Sequence, residues 1–158
     1  MNKLISNLNL IGKGMTKIYS SDKNRMINLE IASDKINNYI LKPNEEFSFN
    51  KILGKRTEEN GYKLAESIDN GKIVKTIGGG ICQISSTLNI AVKMANLKIL
   101  EVHKHSKTVE YTTPNYEAAV AYPSLDYRFI NNRLNNIVIK SKVDKKSMKV
   151  DVYIYEEK

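Results

Sequence analysis

One segment decides the fold: Thr76-Ile77-Gly78-Gly79-Gly80-Ile81-Cys82-Gln83-Ile84-Ser85-Ser86-Thr87. Residues 72–77 have the pattern of a short strand, and residues 82–96 carry apolar side chains on one face of a 3.6-residue period, which predicts a helix. The three glycines between them allow a sharp turn and the close approach of another molecule. The only cysteine of the chain therefore begins its most strongly predicted helix.

This position has chemical consequences for Cys82. The first N–H groups of a helix have no partner within the helix and carry the positive end of its dipole. They favour a thiolate, and they can bind an oxyanion that develops during acyl transfer. Other interpretations stay open. Free cysteine is often a small buried residue. A glycine-rich turn can be a plain turn, or it can bind a phosphate at the start of a helix.

The two histidines, His103 and His105, lie two positions apart on a predicted strand, so they point to the same face. Either could be the base that deprotonates Cys82. Alternatively, both histidines and Cys82 could be three ligands of a zinc site. The sequence alone does not distinguish these two roles from a structural alternative, in which both histidines are half-exposed strand residues.

The rest of the chain predicts an α+β fold with helices towards the N-terminus and a mostly antiparallel sheet. Predicted elements are a helix over 23–38, a loop over 42–50, strands over 97–103 and 107–112, and a C-terminal β-hairpin over 136–156. The hairpin is predicted from apolar residues that alternate on both sides of Asp144-Lys145-Lys146. No internal repeat or linker divides the chain, so we expect one domain over residues 1–158.

Composition excludes several classes of protein. The 158 residues are 41% hydrophobic and 27% charged, which is typical of a globular domain, and one cysteine excludes an internal disulfide framework. The net charge of +8 favours polyanionic partners, but the lysines are scattered and no nucleic-acid-binding motif is present. No apolar run predicts membrane insertion, and no signal peptide or anchor is recognised.

Several motifs resemble the VanW domain in their order along the chain, over residues 22–132. They are Pro43-Asn44-Glu45-Glu46-Phe47-Ser48-Phe49-Asn50, Arg56-Thr57-Glu58, Gly61-Tyr62, the Gly78–Leu88 segment and His105-Ser106. Members of this family include L,D-transpeptidases of peptidoglycan. The resemblance thus implies a cysteine acyltransferase without a cofactor that forms 3-3 crosslinks between a donor tetrapeptide stem and an acceptor stem.

The resemblance also implies roles for individual residues. Cys82 is the expected nucleophile and His105 the base, with Asp126 or Glu117 orienting the histidine. Expected oxyanion donors are the N–H groups of the turn, at Gly79, Gly80, Ile81 and Cys82. Expected substrate-binding residues are Arg56, Gln83, Ser85, Ser86, His103, Ser106 and Tyr111. The family predicts a location outside the membrane or in the cell wall, although a cytoplasmic location stays open. A non-catalytic wall-binding module of glycopeptide resistance and a zinc-dependent hydrolase are the alternative functions.

Overall fold

Three helices and nine strands lie in the part of the chain that the computed structural model describes, residues 7–158. In chain order they are β1 (Leu8–Lys17), α1 (Lys23–Ile36), β2 (Tyr39–Leu41), β3 (Glu46–Ser48), α2 (Phe49–Leu53), β4 (Leu64–Asp69), β5 (Lys72–Ile77), α3 (Cys82–Met94), β6 (Lys98–Glu101), β7 (Arg128–Ile130), β8 (Ile137–Asp144) and β9 (Lys149–Glu157). The strands pair antiparallel throughout. The predicted α+β class is confirmed.

The largest sheet has four strands in the order β1-β9-β8-β2. Its centre is the predicted C-terminal hairpin, in which β8 and β9 pair from Ile137–Glu156 to Asp144–Lys149. The alternation of apolar residues puts Ile139, Val152 and Ile154 on the inner face, where they are fully buried. A second sheet, β3-β7-β6, completes the surroundings of the core.

The helix predicted over 23–38 is present as α1, but a strand that the sequence pattern does not predict, β1, precedes it. β1 pairs with β9 along the edge of the sheet. Two glycines, which are disfavoured in strands, conceal β1 in the sequence. A Cβ on Gly12 would lie 2.2 Å from the Ala91 carbonyl oxygen, and one on Gly14 2.2 Å from that of Thr87. Helix α3 therefore rests directly on the backbone of β1.

Three other predictions need correction. The predicted strand over 107–112 is wrong, since residues 102–113 have no regular secondary structure. Inward contacts of His105 and Tyr111 replace strand pairing there. The predicted loop over 42–50 contains β3, which pairs with β7. The predicted strand over 97–103 is shorter, because β6 ends at Glu101 after a break in its register with β7.

A separate hairpin lies beside the turn that precedes α3. Within residues 7–158, β4 and β5 pair only with each other. Asn70 and Gly71 form the hairpin tip with φ angles of 48° and 73°, the conformation of a tight hairpin turn. The Gly71 N–H donates to Ser106 Oγ at 2.8 Å, so the hairpin tip is tied to the 102–113 segment.

No helix within residues 7–158 combines the length and the apolar character needed to cross a membrane.

Candidate active site

The turn over residues 78–81 requires glycine for two different reasons. A Cβ on Gly79 would lie 2.2 Å from the Ala65 carbonyl oxygen, so strand β4 leaves no room for a side chain. Gly80 has a φ of 98°, which side chains rarely adopt, and a Cβ there would lie 2.6 Å from Arg25 Cγ. The turn is therefore compressed between β4 and the first turn of α1.

A buried asparagine from α1 holds this turn in place. Asn28 Nδ2 donates to the carbonyl oxygens of Lys63 and Gly79, both at 2.9 Å, and Asn28 Oδ1 accepts from the Lys63 N–H at 2.8 Å. The side chain is fully buried. Asn28 is not among the residues predicted from the sequence, although its place on the same helical face as Ala32 and Ile36 was an available signal.

Cys82 is the first residue of α3 and is partly exposed. Its Sγ lies 3.4 Å from both the N–H and the carbonyl oxygen of Val120. Among residues 7–158, the N–H groups of Gly80 and Cys82 have no hydrogen-bond partner. By contrast, the N–H groups of Gly79 and Ile81 are bonded to the carbonyl oxygens of Thr76 and Gly78. Of the four predicted oxyanion donors, Gly80 and Cys82 are thus the two with free N–H groups.

His105 connects Cys82 to a buried carboxylate. His105 Nδ1 lies 2.8 Å from Glu117 Oε1, and the two side chains are only 6% and 4% exposed. The other ring nitrogen, Nε2, lies 3.4 Å from the Tyr111 hydroxyl. The imidazole and the Cys82 thiol line the same cavity and interact electrostatically. Cys82, His105 and Glu117 are therefore placed in the order thiol, imidazole and carboxylate, an arrangement that can activate a thiol.

The pKa values of this pair move in opposite directions. Burial raises the pKa of the Cys82 thiol, but the hydrogen bond and positive charge of His105 outweigh it, and the net result is a lowered pKa. Burial lowers the pKa of His105, but the interactions with Cys82 and Glu117 outweigh it and raise the pKa above its usual value. Both shifts move the pair towards a thiolate beside an imidazolium, relative to an isolated thiol and imidazole.

Tyr111 stays protonated next to the thiolate. Burial and the negative charge of Cys82 raise the pKa of its phenol far above the usual range, even though a hydrogen bond with Ser86 opposes the rise. The hydroxyl can therefore act as a donor near the reacting atoms.

A cavity of about 270 Å³ gives access to this group. Its floor contains Arg25, Gly80, Cys82, Gln83, His105 and Tyr111. One wall is the β4–β5 hairpin and another is the segment 107–111.

Three of the predicted substrate-binding residues hold neighbouring parts of the protein. Ser85 Oγ donates to the Ala118 carbonyl oxygen at 2.6 Å, and Ser86 Oγ accepts from the Ala118 N–H at 3.0 Å. These two bonds fix the segment that carries Glu117 against α3. Ser106 accepts from the hairpin tip, as described above.

Gln83 has a mixed position. Its amide nitrogen donates to Thr16 Oγ1 and to the Lys17 carbonyl oxygen, both at 3.0 Å, which ties α3 to β1. Its amide oxygen accepts from Arg25 Nη2 at 2.8 Å on the cavity floor.

The structure does not bring Asp126 or His103 to Cys82. Asp126 accepts from Ser48 Oγ at 2.5 Å and from the Asn50 N–H at 2.9 Å, so of the two predicted orienting acids only Glu117 contacts His105. His103 Nε2 instead lies 2.8 Å from Glu101 Oε2, with its side chain 35% exposed.

Arg56 lies outside the cavity, in contrast to its predicted role. Its guanidinium donates to the Gly54 carbonyl oxygen at 2.8 Å and to Asn50 Oδ1 at 2.7 Å, and it stacks over Phe49 and Tyr122. Its positive charge still contributes to the lowered pKa of Cys82.

The structure does not assemble the zinc alternative. Because His103 pairs with Glu101, it does not join His105 and Cys82. In the part of the chain from residue 7 onward, no three His, Cys, Asp or Glu side chains are grouped as a metal site would require.

Comparison with known proteins identifies the family. The model of the VanW like protein family matches residues 24–153, and the chain belongs to this family. The chain is 39% identical over 143 residues to the uncharacterized protein YoaR of Bacillus subtilis (strain 168), an alignment that covers 90% of the chain and 47% of the relative.

A second relative is the vancomycin B-type resistance protein VanW of Enterococcus faecalis (strain ATCC 700802 / V583). The identity is 31% over 102 residues, which is 65% of the chain and 36% of the relative. The aligned parts of the chain thus span less than half the length of either relative. No solved structure matches the chain significantly.

Proposed function

We propose that this domain is a peptidoglycan L,D-transpeptidase in which Cys82 forms a thioester with a donor stem peptide. The chain of side chains Glu117–His105–Cys82, beside two free N–H groups at the bottom of a cavity, is the observation that supports this function most strongly. Membership of the VanW like family supports the same substrate, since the enterococcal relative is by its name a resistance protein against a glycopeptide antibiotic.

The first half-reaction removes the terminal D-alanine of a tetrapeptide stem. The Cys82 thiolate attacks the carbonyl carbon that joins diaminopimelate to D-alanine, and a C–S bond forms. The negative charge moves to the carbonyl oxygen, which the N–H groups of Gly80 and Cys82 can bind. The imidazolium of His105 then protonates the leaving nitrogen, the C–N bond breaks and D-alanine departs as a free amine.

The second half-reaction transfers the acyl group to a neighbouring stem. The side-chain amine of the acceptor's diaminopimelate attacks the thioester carbonyl, and neutral His105 accepts a proton from that amine. A C–N bond forms, the C–S bond breaks, and the thiolate–imidazolium pair of Cys82 and His105 is restored. The product is a 3-3 crosslink, and glycopeptides that bind D-Ala-D-Ala do not recognise the tetrapeptide donor.

Glu117 has a positioning role in this cycle. Its carboxylate binds Nδ1 of His105, which leaves Nε2 for Cys82, and it stabilises the imidazolium that is present before the first proton transfer and again after the second. The substrate places the reaction outside the membrane, and the net charge of +8 suits an anionic cell wall.

Intact-protein mass spectrometry tests the proposal. The protein is incubated with disaccharide-tetrapeptide beside a Cys82→Ala control. We expect a mass increase equal to the acyl-tripeptide, absent from the control. Addition of an acceptor stem then separates transfer from hydrolysis. If a folded protein with a titratable thiol gives no adduct between about pH 6 and 9, the transpeptidase proposal is wrong, and a non-catalytic wall-binding role takes its place.

A further inference from the structure

The cavity floor contains a cation that the mechanism above does not use. Arg25 lies in the first turn of α1 and is partly buried. Within residues 7–158 its guanidinium forms no ion pair, and its one side-chain hydrogen bond goes to the neutral amide of Gln83. The nearby carboxylate of Asp22 caps the helix by accepting from the N–H groups of Asn24 and Arg25.

A partly buried positive charge lowers the stability of the folded protein unless an anion compensates it. Removing a guanidinium from water carries a penalty, which a paired carboxylate or phosphate repays. Burial accordingly lowers the pKa of Arg25, and the groups that oppose this, Tyr111, Asp22, Cys82 and Glu110, act only through charge interactions without a hydrogen bond to the guanidinium. Four of its five N–H donors remain available in a cavity that is open to solvent.

The guanidinium is also next to the reacting atoms. The side chain of Arg25 crosses the backbone at Gly80, where a Cβ would lie 3.0 Å from Arg25 Nε. Gly80 supplies one of the two free N–H groups and precedes Cys82 by two residues. Arg25 and the residues of both free N–H groups therefore line one cavity, so a substrate whose carbonyl binds those N–H groups places its next residue in the same cavity as the guanidinium.

We propose that Arg25 binds the free carboxylate of the residue that leaves, the C-terminal D-alanine of the donor stem, through a forked pair of hydrogen bonds. This inference rests on the proposed function for the identity of the substrate. The planar guanidinium fork matches a carboxylate, whereas the neighbouring Gln83 amide holds the guanidinium in position from its other side. A carboxylate one residue beyond the scissile carbonyl is present in a tetrapeptide stem and is lost when that residue is released.

A binding experiment separates this carboxylate site from the chemistry. Isothermal titration calorimetry on the Cys82→Ala protein compares the synthetic tetrapeptide L-Ala-γ-D-Glu-diaminopimelate-D-Ala with the same peptide ending in D-alaninamide. We expect the acid to bind at least about tenfold more tightly, the effect of a hydrogen-bonded charge pair. In Cys82→Ala/Arg25→Gln the two peptides should bind about equally.

Lys107→Gln in the same background is the matched control, since it also removes one positive charge from the cavity lining and should keep the preference for the acid. Arg25→Lys keeps the charge without the fork, and we expect it to retain only part of the preference. Two results with the Cys82→Ala protein alone would overturn the proposal: equal binding of the two peptides, or no binding of the acid. Neither result requires an Arg25 variant. An undiminished preference in Arg25→Gln overturns it as well.

The outcomes remain distinct from those of the thioester test. An adduct on the unmodified protein together with equal binding of acid and amide removes the role of Arg25 and leaves the transpeptidase. A preference for the acid that depends on Arg25, without an adduct, removes the transpeptidase and leaves a carboxylate-binding site.

Discussion

Replacement of Asn28 by alanine should destabilise the protein more than a typical polar substitution does. Asn28 makes three hydrogen bonds to the backbone of residues 63 and 79, and its side chain is fully buried. At about 1 kcal/mol for each bond, their loss costs about 3 kcal/mol. The Gly79 carbonyl, left without this partner in a buried place, adds about 1 kcal/mol, and the better helix propensity of alanine returns about 0.5 kcal/mol.

The expected loss in the free energy of unfolding is therefore about 3–4 kcal/mol. With a urea m-value of about 2 kcal/mol/M, the midpoint of unfolding should fall by about 1.5–2 M. The melting temperature should fall by about 6–16 °C, at 2–4 °C per kcal/mol for a chain of this size. Urea titration followed by circular dichroism measures the midpoint and the slope in one experiment.

Asn24→Ala provides the matched control, because it removes the same side chain one turn earlier on α1. Asn24 makes a single exposed hydrogen bond to the Leu64 carbonyl oxygen at 3.0 Å. Its loss should cost at most about 1 kcal/mol. If the two variants lose the same stability, or if Asn28→Ala loses less than about 1 kcal/mol, Asn28 does not hold the glycine turn as we infer.

Three further predictions concern the site itself. The pH dependence of alkylation by iodoacetamide should show thiolate reactivity at Cys82 below the pH at which an ordinary thiol reacts, because the pKa of Cys82 is lowered. In His105→Ala the inflection of this pH profile should move to higher pH, because the imidazole no longer opposes the effect of burial, which raises the pKa of Cys82. An unchanged profile would mean that the imidazole does not activate the thiol. Gly79→Ala should cost several kcal/mol in urea unfolding or abolish soluble expression, because its Cβ would lie 2.2 Å from the Ala65 carbonyl oxygen; near-normal stability would show that β4 can move aside. Ser106→Ala should speed hydrogen exchange of the backbone amides at the hairpin tip and change the free energy of unfolding by less than about 1 kcal/mol, because it removes the hydrogen bond from the Gly71 N–H. Equal exchange rates in the two proteins would show that this bond does not hold the tip.

The local part of the site could be predicted from the sequence. A glycine turn that ends a strand and starts a helix at a cysteine is defined by neighbours in the chain, and α3 begins at Cys82 as predicted. The same holds for the C-terminal hairpin, where alternation and turn residues agree.

The long-range part could not be predicted in the same way. Asp126 and Glu117 are both acids near the predicted histidine in sequence, and only the path of the chain brings Glu117 to His105 while Asp126 binds the start of α2. His103 and His105 were expected on one face of a strand. Residues 102–113 form no strand, so the alternation rule does not apply, and the two rings have different partners.

Arg25 was missed because nothing in its local sequence points to a cavity formed by β4, β5 and the segment 107–111. One signal was available. A basic residue in the first turn of a helix opposes the helix dipole, which makes such a position unfavourable without a compensating role. The resemblance implies a substrate-binding role for Arg56 instead, whereas in the fold its guanidinium binds Gly54 and Asn50.

The packing of α3 on β1 has a practical consequence for the expression of this domain. The family match begins at residue 24, whereas the cysteine-bearing helix rests on Gly12 and Gly14, and Gln83 is anchored by Thr16 and Lys17. A fragment cut to the boundaries of the match would discard that strand, expose one side of α3 to water and release the amide that orients Arg25. Expression trials on relatives should therefore begin at least one strand upstream of the family match.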